Sequence, residues 1–105
     1  VSIVMRNCKA CGVFDRSRVN IGEAARFLSA CREQFDLVLL DPPFHYDTLN
    51  EVLPALADKV ATGGVVLAES EREAALPERA GTLVLAKQYY YGKIMVSRYE
   101  KEEQA

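Results

Sequence analysis

The order of apolar and polar positions along the chain predicts alternating helices and strands. In IVMRNCKACG, residues 3–12, Val4, Cys8 and Cys11 fall on one helical face, and Gly12 stands where a helix cap is expected. RVNI, residues 18–21, is short and apolar enough for a strand. EAARFLSACRE then sets Ala24, Phe27, Leu28 and Cys31 at helical spacing. FDLVLL, residues 35–40, ends in a continuous apolar run, the pattern of a parallel strand covered on both faces.

DTLNEVLPALADKV, residues 47–60, steps Leu49, Val52, Leu53, Leu56 and Val60 by threes and fours. Pro54 lies within that pattern and predicts a kink or a fresh helix start. TGG stops this helix, and VVLAE, residues 65–69, reads as the next strand. SEREAALPERAG, residues 70–81, reads as a short helix and turn. LVLAKQYY and IMVSRY are two closing strands joined through Tyr91-Gly92-Lys93 as a hairpin. Alternation up to a closing antiparallel pair predicts an α/β fold with a mostly parallel sheet.

Composition narrows the class. A chain of 105 residues, 50% of them hydrophobic, is one domain with a real core and not a disordered segment. No apolar run approaches the roughly 20 residues that span a bilayer, and the amino end lacks the apolar centre of a secretory signal. Three cysteines, an odd number, argue against a disulfide framework and fit a reducing cytosol, so a cytoplasmic location is expected. Residues 1–32 carry a charge of +4 and residues 33–105 a charge of −6. The basic third is suited to phosphates, but a solvated helix face is the simpler account. Charge alone does not mark a nucleic-acid binder.

The chemistry concentrates in LLDPPFHYD. Ligands of open α/β sheets bind beyond the carboxyl ends of the strands, and Asp41 closes the most apolar strand. Pro42 and Pro43 fix two successive backbone angles and leave carbonyls without local partners. Asp41 adds two acceptors and Phe44 a flat apolar face. Such a corner suits a planar ring bearing an exocyclic amine, stacked on Phe44 with its hydrogens on Asp41 and the Pro42 carbonyl. Acceptors that hold those hydrogens favour a pyramidal nitrogen and stabilise the charge that develops as it attacks an electrophile.

VLLDPPF resembles motif IV of the S-adenosylmethionine-dependent amino-methyltransferases. With GEA (Gly22–Ala24), TGGVVLAE (Thr62–Glu69) and YYYGKIMVSRYE (Tyr89–Glu100), the chain resembles the bacterial 16S rRNA guanine-N2 methyltransferase family. The resemblance implies a Rossmann-like sheet and methyl transfer from S-adenosylmethionine to a guanine 2-amino group of 16S rRNA or a small-subunit assembly particle. It implies that Asp41, Pro42, Pro43 and Phe44 form the target-base site. His45 and Tyr46 stand beside them as substrate contacts or as ordinary loop residues. Glu23 and the Ala24 N–H correspond to the family's contacts with the cofactor's adenine, with Asp41 also on the cofactor side; the family more often has Asp at the position of Glu23.

The family's glycine-rich loop after the first strand is absent, as is the acidic residue that ends the second strand. The chain begins at Val1 and resembles only the later part of the catalytic domain, so residues 1–105 are expected to be a partial methyltransferase domain lacking the first strands. Weak or undetectable cofactor binding by the chain alone is expected. So is self-association through an uncovered strand edge, unless RVNI fills that edge. Two other readings stay open: a non-catalytic remnant that binds RNA or a partner chain, and a fragment of a DNA adenine-N6 methyltransferase.

Elsewhere the residues point to packing. Cys8-Lys-Ala-Cys11 has zinc-like spacing, with Cys31 and His45 as conceivable completions, but no second close pair exists and no metal is expected. Tyr89, Tyr90 and Tyr91 alternate across a strand, which predicts that at least one is buried in the core. Lys93 and Arg98 are surface cations within reach of a phosphate backbone or solvent.

Overall fold

The computed structural model describes residues 2–18, 22, 24–41 and 48–102. Helix α1 is Ser2–Ala10 and α2 is Ala24–Ala30; strand β1 is Phe35–Leu40. Helix α3, Thr48–Leu56, runs through a single 3-10 turn, Ala57–Lys59, into β2, Val60–Glu71. The chain closes with β3 (Arg79–Ala80), β4 (Leu83–Tyr91) and β5 (Ile94–Lys101). The five strands form one sheet in the order β1-β2-β5-β4-β3.

The α/β class and the closing hairpin stand as expected. The parallel character rests on one pairing, β1 with β2, because α3 carries the chain back across the sheet between them. The remaining pairings, β2–β5, β5–β4 and β4–β3, are antiparallel. The hairpin turn is Gly92-Lys93, since Tyr91 pairs with Ile94. Gly92 has φ +62° and no non-glycine residue described has positive φ, so the turn bends with the twist of the strands.

The core lies between α3 and one face of the sheet. Leu49, Val52, Leu53 and Leu56 are buried, as their spacing requires, and they meet Val60, Val66, Ala68, Leu83 and Tyr99. Leu28 of α2 joins the same cluster. Full burial of each such side chain stabilises the fold by about 1.5–3 kcal/mol. Pro54 is accommodated within one helix, with neither break nor restart, and faces solvent.

Four expectations are corrected. The segment after Ser70 forms no helix: β2 continues to Glu71, with Ser70 opposite Met95 and Glu71 opposite Ile94, and pairing along β5 overrides local helix propensity. The segment is then tied down by the Tyr99 hydroxyl, which donates to the Pro77 carbonyl at 2.6 Å. TGG does not stop α3, which has already ended; it bulges within β2. Leu37 pairs with Val65 while Phe35 pairs with Val60, so three extra β2 residues are looped out around Gly63 and Gly64. Gly63 has φ +83°, and a Cβ on Gly64 would lie 2.6 Å from Val60 Cγ1 and 2.7 Å from the Ala61 carbonyl oxygen.

Strand β1 is covered on one face, not both. Val38 and Leu40 pack on the core, whereas Leu37 is 58% and Leu39 69% exposed. Helix α1 buries no face either: Ile3, Val4 and Cys11 are exposed and Cys8 is half-buried, because α1 touches little beyond the adjoining 3-10 turn. Its end follows expectation. Gly12 at φ +72° lets its own N–H reach the Lys9 carbonyl and the Val13 N–H reach the Cys8 carbonyl. Of the expected RVNI strand, residues 18–21, all but Arg18 lie outside the described residues; among those described, the outer edge of β1 has no strand partner.

Candidate active site

Asp41 follows directly on the last residue of β1 and is exposed. Leu40 pairs with Ala68, so the parallel register brings Asp41 abreast of Glu69 on β2. Val66, Ala68 and Ser70 turn their side chains to the core, which leaves Glu69 on the opposite face, half-buried. Two carboxylates thus converge at the carboxyl ends of neighbouring parallel strands, where open α/β sheets take their ligands.

The pair is electrostatically coupled. The Glu69 carboxyl is held above its ordinary value by desolvation first, then by the negative charge of Asp41 and by a hydrogen bond shared with it. Raising one acid beside another is what like charges at short range require. The arrangement offers several acceptor oxygens and one carboxyl that readily keeps a proton. Chemically, it can accept hydrogen bonds from an amine and hold or release a proton beside it.

Glu69 was not among the site residues the sequence suggests. The signal was present, however. Glu69 is the acidic residue that ends the apolar run VVLAE, as Asp41 follows the run FDLVLL. What the sequence does not state is that these two strands are parallel neighbours in a register that aligns their ends.

Pro42, Pro43, Phe44, His45, Tyr46 and Glu23 lie outside the described residues. Ala24 is the first residue of α2. The tyrosines depart from expectation, since none is buried: Tyr89 is half-buried, and Tyr90 and Tyr91 are 50% and 63% exposed. Tyr90 lies under Arg72, whose guanidinium carbon is 4.7 Å from the ring centroid. Tyr89 and Tyr91 flank a depression of about 350 Å³ with Val65, Leu67, Val96 and Arg98, on the sheet face away from α3. Arg98 forms an ion pair with Glu100 at 2.9 Å. Among the described residues, Cys8, Cys11 and Cys31 are free thiols, no group of metal-ligating side chains converges, and no helix is long and apolar enough to cross a membrane.

Known proteins share this fold. The chain is 29% identical over 106 residues to YlbH, a candidate rRNA methyltransferase of Bacillus subtilis strain 168, covering 96% of this chain and 58% of that protein. It superposes on a conserved hypothetical protein of Streptococcus pyogenes with a TM-score of 0.87 at 30% identity, covering 96% of this chain and 64% of that one. A candidate methyltransferase of Escherichia coli, yhhF, aligns with a TM-score of 0.83 at 26% identity, covering 96% and 57%. The chain therefore spans less than two thirds of these relatives. Residues 1–100 match the family described as conserved hypothetical protein 95, and the chain belongs to that family, with the Rossmann-like fold of methyltransferases.

Proposed function

We propose that residues 1–105 are the later part of an S-adenosylmethionine-dependent methyltransferase domain acting on the 2-amino group of a guanine in 16S rRNA. The observation that carries this reading is the placement of Asp41 at the carboxyl end of β1, abreast of Glu69, in a chain of this family. The B. subtilis relative's designation as a candidate rRNA methyltransferase supports the choice of RNA.

The acceptor chemistry fits the group such an enzyme needs. When bound, the cofactor supplies a methyl carbon activated by a sulfonium. Glu23 and the Ala24 N–H would hold its adenine edge, and Asp41 would lie between cofactor and base. Asp41 and the Pro42 carbonyl accept hydrogen bonds from the guanine amine and stabilise positive charge as its nitrogen attacks. As prolines, Pro42 and Pro43 would restrict the backbone that carries these acceptors, and a restricted backbone would help to orient the amine for transfer. Phe44 stacks on the extruded base and offsets part of the few kcal/mol that flipping costs. His45 and Tyr46 would serve as further contacts to the substrate. Asp41 need not be a strong base, because the alkylated amine is acidic and loses its proton after transfer.

The test is a chimera in which this chain replaces the matched region of the B. subtilis relative. It is incubated with methyl-labelled S-adenosylmethionine and unmethylated 16S rRNA, and the nucleosides are then analysed. N2-methylguanosine is expected, with Asp41→Ala lowering the rate by about 100-fold or more, the scale of losing a group that stabilises transition-state charge. A soluble, cofactor-binding chimera that gives no product on this RNA, or that methylates adenine in DNA supplied in a parallel reaction, refutes the reading.

A further inference from the structure

The proposed transfer gives the two amine hydrogens to Asp41 and the Pro42 carbonyl and leaves Glu69 without a part, although the fold sets it beside Asp41. Leu40 pairs with Ala68, so Asp41 and Glu69 end neighbouring strands whose backbones lie about 4.8 Å apart. Their carboxyl groups share a hydrogen bond. Glu69 is half-buried, and Val96 of β5 lies directly opposite it, with Tyr89 of β4 opposite Val96. The row across this end of the sheet is therefore two carboxyl groups followed by apolar surface.

Within the chain nothing answers those carboxyl groups. Among the described residues neither is in an ion pair, and the arginine next on the same face, Arg98, is engaged by Glu100 at 2.9 Å. A carboxyl group has two oxygens, each able to accept. The bond shared with Asp41 occupies one oxygen of Glu69 and leaves the second. That oxygen can accept whether Glu69 is ionised or lends its proton to Asp41. A partly desolvated acceptor without a donor is costly, and a bound ligand that brings the donor recovers that cost.

Guanine carries such a donor in the right place. Its ring N1–H adjoins the 2-amino group, and both point from the pairing edge by which extruded bases are read. We propose that Glu69 selects the base: its second oxygen accepts the N1–H of guanine while Asp41 holds the adjacent amine hydrogen. Adenine presents a lone pair at N1 beside its amine, and that lone pair would face the Glu69 oxygen with no proton between them. The inference rests on the guanine reading above and adds to it the residue that distinguishes the base.

The test gives the chimera two 16S rRNAs that differ only at the methylated nucleotide, which is guanine in one and 2-aminopurine in the other. 2-Aminopurine keeps the reacting amine and lacks the N1–H. The unsubstituted chimera should favour guanine by about 100-fold or more in kcat/KM, since a site built around a donor strongly rejects an analogue without it. Glu69→Gln, whose amide can donate to the bare N1, should narrow that preference at least about tenfold. Glu69→Ala should slow transfer to guanine far more than transfer to 2-aminopurine, and cofactor binding by each variant reports that it is folded. Equal losses on both RNAs overturn the inference, because a carboxyl that only props Asp41 through their shared bond would slow both alike. An unsubstituted chimera that methylates guanine and 2-aminopurine equally well also overturns it, while leaving the proposed function standing. Failure to methylate guanine at all refutes the proposed function, and this inference with it.

Discussion

Replacing Tyr99 by Phe removes one oxygen atom from the centre of the molecule and tests how the closing strands are locked together. Tyr99 is fully buried on β5, opposite Val66 of β2 and Leu85 of β4, and its hydroxyl donates to the Pro77 carbonyl at 2.6 Å. The phenylalanine ring keeps the packing, so the loss is confined to this bond. A typical net hydrogen bond contributes about 1 kcal/mol, and leaving a buried acceptor unpaired costs about 1–3 kcal/mol. The variant should therefore be about 1–3 kcal/mol less stable at pH 7. For a domain of this size the melting temperature should fall by about 4 °C or more.

A pH dependence follows with a definite sign. Burial pushes the Tyr99 hydroxyl from 10.0 up to about 12. A group raised in the folded state contributes stability that is fully present below its unfolded value and is lost as pH rises through the folded one. The loss falls between pH 10 and 12. Phenylalanine has no such proton. Urea titrations followed by far-ultraviolet circular dichroism, at pH 7 and at pH 11.5, should show the two proteins well separated at the first and nearly coincident at the second. Equal midpoints at pH 7, or a gap that does not narrow with pH, would refute the reasoning.

Two further substitutions probe the site and its support. Glu69→Gln should raise the melting temperature at pH 7 and leave it unchanged near pH 4. The folded state favours the protonated carboxyl beside Asp41, so the wild type loses stability as pH rises through the raised value, whereas the amide stays neutral. Thermal melts across that range decide it, and an equal or lower melting temperature at pH 7 counts against the coupling. Gly64→Ala should cost about 1–3 kcal/mol, because its Cβ would lie 2.6 Å from Val60 Cγ1 and 2.7 Å from a backbone oxygen. Denaturant unfolding with no change in midpoint would show that the β2 bulge yields freely.

Much of this was legible in the sequence wherever local pattern and tertiary role agree. The steps of Leu49, Val52, Leu53 and Leu56 mark both a helix and the face it buries. Gly92 between apolar runs marks the hairpin, and Asp41 after Leu40 marks a carboxylate at a strand's carboxyl end. The misreadings come from partners that no local pattern records. EREAAL has good helix formers, but Glu71 is already pairing with Ile94 and Tyr99 holds Pro77. A run such as LVLL shows that a strand is apolar on both sides; it does not show whether both sides are covered within this chain. Cys8 and Cys11 share a helical face, yet a shared face is buried only if another element lies against it.

The same asymmetry bears on the chemistry. The alignment of Asp41 with Glu69 depends on the register of β1 against β2, since Leu40 must stay opposite Ala68. Among the described residues β1 is held by one edge and one face, while its other face leaves two leucines exposed. Strands held on one side sit at the low end of the range of local opening energies, so the carboxylate pair rides on one of the less constrained elements of the sheet. Productive transfer demands that the reacting atoms be placed to within a fraction of an ångström. Whatever fixes the register of β1 therefore also fixes the carboxylate pair, and it acts on Asp41 through the strand that carries it.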